Sequence, residues 1–339
     1  METLMDKSQI RHGIITKGIG GLYGVRLVCE DGSITYVECR ARGRFRHDGL
    51  SPLPGDDAVI TEESVGEKTE YVIDDILPRH SSLLRPPMAN LTHLFLLVPA
   101  CRPKPDLLTA DKICAICEHS GIEVVIVAGK LDMDAKSAEN IREIYTSAGY
   151  NTFTLSAVTG EGVDPLMEYI NRTADRCAEN GRPLRAAFAG VSGAGKSTLM
   201  GLLFPDLQLA TGNVSRKTER GRHTTRQVEL FPLKSEGGSE FYLADTPGFS
   251  MLDFTRYNFF PSSELADNFR EFSDCLGNCR YTKCTHTKEE GCAVIEKLNE
   301  GKIHPSRHEN YVLIYDELKQ KPEWKRQKEE ISLPGRRKR

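Results

Sequence analysis

Gly190-Val191-Ser192-Gly193-Ala194-Gly195-Lys196-Ser197 fits the pattern G-x-x-x-x-G-K-[ST] at every fixed position. The strand-like run 185–189 precedes it, and helix-forming Thr198-Leu199-Met200 follows. A strand, a glycine-rich loop and a helix in that order form a phosphate cradle. Backbone N–H groups converge on the anion, and the helix N-terminus adds a favourable dipole. Lys196 would neutralise the β- and γ-phosphates, and Ser197, followed by Thr198, would ligate Mg²⁺. A ligand-free glycine-rich turn is the bland alternative, and the flanking strand and helix disfavour it.

Working outward, apolar runs at 93–98, 124–128, 152–155, 186–189 and 241–244 alternate with segments of helical pattern. Buried strands separated by helices predict an α/β domain with a largely parallel sheet. Residues 11–76 read as all-β. About five short strands between glycine-rich turns predict a small barrel, and an OB-fold fits that count. The proline-rich stretch 77–87 reads as a connector without regular structure. Beyond about Asp253 the strands stop, and a helical segment with a cysteine cluster and a basic tail follows. The predicted domains are 1–78, 79–254 and 255–339.

Composition agrees with a globular protein: 39% hydrophobic and 27% charged residues in a chain of 339. No stretch approaches the roughly 18 apolar residues of a membrane span, so no membrane partner is expected. The opening METLMDKSQIRHG lacks the apolar run of a secretory signal, and a cytoplasmic location is expected. A net charge of −3 excludes a globally basic nucleic-acid binder but leaves local basic patches open. Residues 301–339 carry 11 Lys and Arg against 6 Asp and Glu. That tail, from Lys325 onward, reads as a disordered end or as an RNA contact.

Three further motifs bear on the nucleotide. Asp245-Thr246-Pro247-Gly248 follows the strand 241–244. Asp245 is expected in the Mg²⁺ shell, with the Gly248 N–H near a γ-phosphate. Gly221-Arg222-His223-Thr224-Thr225-Arg226 lies between this motif and the phosphate loop, and a hydroxyl of Thr224 or Thr225 would complete the metal shell. Gly129-Lys130-Leu131-Asp132 closes the strand 124–128, and Ser156-Ala157 closes the next one. Asp132 would accept from guanine N1–H and N2–H₂, the Lys130 stem would cover the purine, and an N–H at Ser156-Ala157 would reach O6. Adenine would leave these groups unpaired. In ordinary small GTPases the base-reading elements follow the phosphate loop. Here they precede it, so the predicted domain is circularly permuted.

Ten cysteines in a chain without an export signal point first to metal ligation. Cys279, Cys284, His286 and Cys292 form a Cys₃His set suited to structural tetrahedral Zn²⁺, with Cys275 as a substitute ligand. Cys114 and Cys117 sit in a helical run without partners and read as core. Arg40, Arg42, Arg44 and Arg46 recur at period two, and an extended segment would present all four on one face. Guanidinium groups there suit RNA phosphate and bases, or simply a solvated edge strand.

The chain resembles the ribosome small subunit-dependent GTPase A family of bacteria. The resemblance is carried by CRARGRFR, LLRP and AN in the connector, GVSGAGKSTL, GRHTT, DTPGF and CRYTKCTHTKEEGC. It implies an OB-fold, a permuted GTPase and a zinc domain. It also implies GTP hydrolysis to GDP and phosphate stimulated by the small ribosomal subunit, with its rRNA as partner, late in subunit maturation. RNA contact by the four arginines is favoured on the same ground, and a monomer is expected. The family has Asn where this chain has Gly129, which bears on nucleotide affinity more than on base choice. Phe249 stands where many GTPases place a water-orienting Gln; His223 is the expected replacement, with Lys196 and Thr225 completing the catalytic set. The competing readings are a nucleotide-dependent rRNA-binding module with negligible turnover, and an ATPase or nucleotide kinase. Asp132 and Ser156-Ala157 disfavour the last.

Overall fold

The computed structural model describes residues 10–29, 31–47, 49–65, 68–205, 207, 228–245 and 259–320, with Arg46, His47, Ser64, Val65, Lys68 and Asp245 described by backbone alone. Five strands open the chain: β1 (Ile10–Ile19), β2 (Leu22–Val28), β3 (Ile34–Ala41), β4 (Asp57–Val65) and β5 (Lys68–Ile76). Neighbours pair in the order β1-β2-β3-β5-β4, and β4 returns to β1, so the sheet closes into a barrel. Only β3 and β5 run parallel. This is the OB-fold arrangement that the strand count predicts. Alternation sends Ile15, Val25, Leu27, Cys39, Ile60 and Ile73 inward. The helical turn α1 (Arg44–His47) drives Phe45 into the end of that core.

The connector is more regular than its prolines suggest. Ser82–Leu83 (β6) and Met88–Ala89 (β7) form a two-stranded clasp beneath the barrel. Ala89 N–H donates to the Pro54 carbonyl at 2.9 Å. Gly55 has φ +92, and a Cβ there would stand 2.0 Å from Ala89 O. Only glycine lets the two backbones approach this closely.

The second layer system is α/β. Its strands are β8 (His93–Pro99), β9 (Glu123–Gly129), β10 (Asn151–Thr154), β11 (Arg185–Gly190), β12 (Glu229–Lys234) and β13 (Glu240–Asp245). They lie in the order β10-β9-β8-β11-β13-β12, all parallel except β12. Sequence reading misses β12, whose Pro232 hides a short edge strand. Helices α2 (Leu107–His119) and α3 (Ala135–Ser147) cover one face, and α4 (Val163–Glu179) and α5 (Lys196–Leu203) the other. Asp106 and Asp134 cap α2 and α3 by accepting from Thr109 N–H and Ser137 N–H at 3.0 and 2.9 Å. Cys114 and Cys117 are buried on α2, as read, and burial pushes both thiols up, so they are inert core.

Buried guanidinium groups join the parts. β1 meets β12 at Lys17 opposite Glu229, which makes barrel and GTPase sheet continuous. Beside that bridge, Arg26 of the barrel donates to Tyr242 Oη at 3.0 Å and pairs with Glu240. Arg185 donates to both Asp57 oxygens, at 3.0 and 2.5 Å, and to the Gly55 carbonyl at 3.1 Å.

The C-terminal part packs on α2 through short 3₁₀ turns and the helices Ala293–Asn299 and Pro305–Lys319. At its centre Arg307, 1% exposed, donates to Asp111 at 2.5 Å and to Glu271 at 2.6 and 3.0 Å. Its guanidinium lies 4.6 Å from the Phe269 ring centre. Tyr145 Oη and Asn310 Nδ2 also donate to Asp111. Arg307→Ala is expected to cost about 3–5 kcal/mol, because two carboxylates would stay buried without their cation. Urea denaturation of the full chain measures it, and a loss under about 1 kcal/mol would contradict this account of the interface.

Candidate nucleotide site and metal centre

Parallel pairing brings the C-terminal ends of β8, β9, β10, β11 and β13 to one edge of the sheet. The loops leaving that edge line a cavity of about 570 Å³. Its walls include Gly129, Lys130, Asp132 and Ala157 on one side and the run Ser192–Leu199 on the other. Residues between 35 and 70 positions apart in the chain therefore face each other across one cleft.

The phosphate loop takes the conformation its glycines predict. Gly190 has φ +148, and a Cβ there would stand 2.6 Å from the Leu97 carbonyl, so no larger residue fits at the exit of β11. Ala194 N–H donates to the Val191 carbonyl at 3.1 Å, which curls the loop. Gly195 caps α5 with φ +103, leaving the first N–H groups of that helix without a side-chain cap. Lys196 Nζ donates to Gly190 O at 2.7 Å, so its ammonium folds back over the loop. Ser197 and Thr198 are exposed and line the cavity. Asp245 ends β13 beside β11, in register with Glu229 of β12. His223, Thr224, Thr225 and Gly248 lie outside the described residues.

On the opposite wall Asp132 is exposed to the cavity. Lys130 adopts φ +64, and its Nζ donates to the Arg102 carbonyl. Ser156 and Ala157 divide the work expected of the pair. Ser156 N–H is committed to the Glu161 carbonyl at 2.9 Å, and its Oγ accepts from Val158 and Thr159 N–H at 3.2 and 3.1 Å. Ser156 therefore builds the turn, while Ala157 lines the cavity. Met133 and Val158, 50% and 80% exposed, also line it and give a planar ligand an apolar lining. Each directly follows a residue singled out from sequence, Asp132 and Ala157, and that adjacency is the signal that could have found it.

The four arginines do not share one extended face. β3 stops at Ala41 because the chain must turn to bury Phe45, and Arg44 and Arg46 lie in the resulting helical turn. Arg40 is exposed at the strand end. Arg42 pairs with Glu63 at 2.8 Å and with Asp74. Arg44 donates to the Asp74 carbonyl and stands 3.8 Å from Asp75. Of the three described side chains, Arg40 alone has no acidic partner among the described residues.

Cys279, Cys284, His286 and Cys292 converge, with all ligand atoms within 4.8 Å of one another. The Cys279 and Cys292 sulfurs are 3.9 Å apart, and His286 Nδ1 lies 3.5 and 3.4 Å from them. A metal–sulfur bond of about 2.3 Å gives a tetrahedron edge of about 3.8 Å, so the set fits a tetrahedral ion. Burial is the main cause pushing the Cys284 thiol up to about 12, so ionising these thiols together calls for a cation. The Glu289 carboxylate accepts from Thr285, Thr287 and Lys288 N–H and shapes the loop between ligands. His308 Nε2 lies 2.8 Å from the His286 carbonyl and anchors the backbone of that residue. Cys275 is buried in the neighbouring core and stands outside this set.

Ser156→Ala removes the acceptor of two N–H groups at the cavity rim. A loss of about 1–2 kcal/mol is expected in urea denaturation, and a change within about 0.3 kcal/mol would contradict the role given to this hydroxyl.

Comparison with known proteins agrees with this geometry. The family profile described as RsgA GTPase matches residues 76–255, and that described as RsgA N-terminal domain matches residues 12–69. The protein named "Small ribosomal subunit biogenesis GTPase RsgA" from Caldanaerobacter subterraneus subsp. tengcongensis is 39% identical over 310 residues, 91% of this chain and 96% of its own. Its namesake from Ruminiclostridium cellulolyticum is 37% identical over 318 residues, 94% of this chain and 97% of its own. The crystal structure of YjeQ from Thermotoga maritima superposes with TM-score 0.72 at 30% identity, covering 92% of this chain and all of that one. YloQ, described as a circularly permuted GTPase, gives 0.69 at 29% identity, covering 94% and 99%. The OB-type barrel, the permuted strand order and the two family matches lead to one conclusion: this chain is a circularly permuted GTPase of the RsgA family.

Proposed function

We propose that this GTPase binds the small ribosomal subunit and hydrolyses GTP to GDP and phosphate late in that subunit's maturation. The observation that carries the reading is the single cavity in which Asp132 and Ala157 face the run Ser192–Thr198. In this reading Asp132 accepts from guanine N1–H and N2–H₂, and Ala157 N–H donates to O6. Gly190, Val191 and Ala194 shape the phosphate loop, the last through its N–H bond to Val191, and the N–H groups at Ser192, Gly193 and Gly195 surround the β-phosphate. Lys196 leaves the Gly190 carbonyl to bridge the β- and γ-oxygens. Mg²⁺, held by Ser197, Thr225 and Asp245, would neutralise charge on those oxygens. Thr224 and the Gly248 N–H serve the γ-phosphate side.

The Cys₃His set is read as a structural Zn²⁺ site, since four protein ligands leave no open position for chemistry. RNA contact on the barrel is assigned to Arg40 with Arg44 and Arg46; Arg42 is spent on Glu63 and Asp74. The names of the relatives support the ribosomal partner. A cytoplasmic monomer fits such a factor.

Phosphate release from GTP and from ATP, with and without small subunits, tests the reading. Stimulated release from GTP alone is expected, and equal release from ATP would overturn it. His223→Ala is expected to leave GTP and subunit binding nearly intact and to lower stimulated turnover at least ~10-fold, because His223 orients the attacking water. Turnover within about twofold of wild type would remove His223 from the mechanism. Thr225→Ala should instead weaken subunit binding in the GTP state. Metal analysis of unchelated protein is expected to find one Zn²⁺ per chain, and its absence would reject the zinc assignment.

A further inference from the structure

The structure assigns the loop 100–106, which joins β8 to α2, to holding the base-reading wall and the phosphate loop in register, with Arg102 and Pro103 as positioning residues. This rests on the nucleotide reading of the cavity. The loop is tied to that wall twice. Ala100 N–H donates to the Gly129 carbonyl at 2.9 Å, and the Arg102 carbonyl accepts from Lys130 Nζ. Its far end is fixed by Asp106, which accepts from Thr109 N–H at 3.0 Å. Between these anchors the loop passes over the phosphate loop: a methyl placed on Gly193 would stand 3.7 Å from Pro103 Cδ.

The need for such a bridge is visible at Gly129. This residue is buried at the end of β9, and a Cβ on it would stand 3.8 Å from the Ala194 carbonyl. A polar side chain there would reach the phosphate loop directly. Glycine reaches nothing, so no side chain at 129 links the two walls. The path through Lys130 and Arg102 places Pro103 beside Gly193 and so confines the phosphate loop from the other side. Lys130 accordingly has two duties: its stem lies along the cavity while its ammonium fastens the loop.

A double-mutant cycle tests this, read by titration of a fluorescent GDP and by kcat and KM for GTP. Pro103→Gly is expected to weaken GDP binding about tenfold, with KM rising more than kcat falls. Adding Gly129→Asn should shrink that loss to under about threefold, because the amide spans the gap itself. Lys130→Met keeps the stem and releases the Arg102 carbonyl; Pro103→Gly should then add little. Thermal melting of the nucleotide-free variants separates loss of fold from loss of site, and Lys130→Met supplies the cycle if Pro103→Gly is unfolded. An unchanged affinity in both single variants, or the same loss with and without Gly129→Asn, would overturn the inference while leaving the nucleotide reading intact. Failure of the wild-type chain to bind GDP would overturn both.

Discussion

The common direction of β8, β9, β10, β11 and β13 is the constraint on which the site depends. Parallel strands put all their C-terminal ends on one edge, and each loop leaving that edge faces its neighbours whatever its order in the chain. Lys130, Asp132 and Ala157 thus meet across one cavity a glycine-rich loop that begins only at Gly190. Permutation changes which strand the chain enters first. It leaves unchanged the hydrogen-bond ladder that assembles the cavity, and for that reason the fold tolerates it.

Around this edge the three parts are held by arginines rather than by apolar surface alone. Arg26 and Arg185 secure the barrel, and Arg307 secures the C-terminal part. Such pairs are costly to bury and costly to break, and their planar donor sets demand a defined angle of approach. Their contribution is orientation: a greasy interface of equal area would permit sliding, whereas a bidentate fork does not.

Much of this was legible in the sequence where a single local rule decides the outcome. The phosphate loop, the β-α alternation and the Cys₃His spacing each follow from residue types at fixed offsets, and the structure bears out the barrel, the sheet and the convergence of the four ligands. The single face that period two predicts for the four arginines is absent because the burial of Phe45 ends β3 and puts the following residues in a helical turn. Strand β12 failed because Pro232 argues against a strand unless its edge position is known. Ser156 and Ala157 were inseparable in sequence, since only the turn closed by Glu161 shows which N–H is already spent. Each miss turns on a contact that residue spacing does not encode: the core that receives Phe45, the neighbours that set the position of β12, and the carbonyl that takes the Ser156 N–H.

In the sheet, β11 lies between β8 and β13. The strand β8 is the one by which the chain enters this domain from the barrel, and β13 is the one by which it leaves towards the C-terminal part. The strand that carries the phosphate loop is therefore flanked by the two points of attachment of the outer domains. A pull carried along the chain from either outer domain reaches β11 across a single ladder of hydrogen bonds.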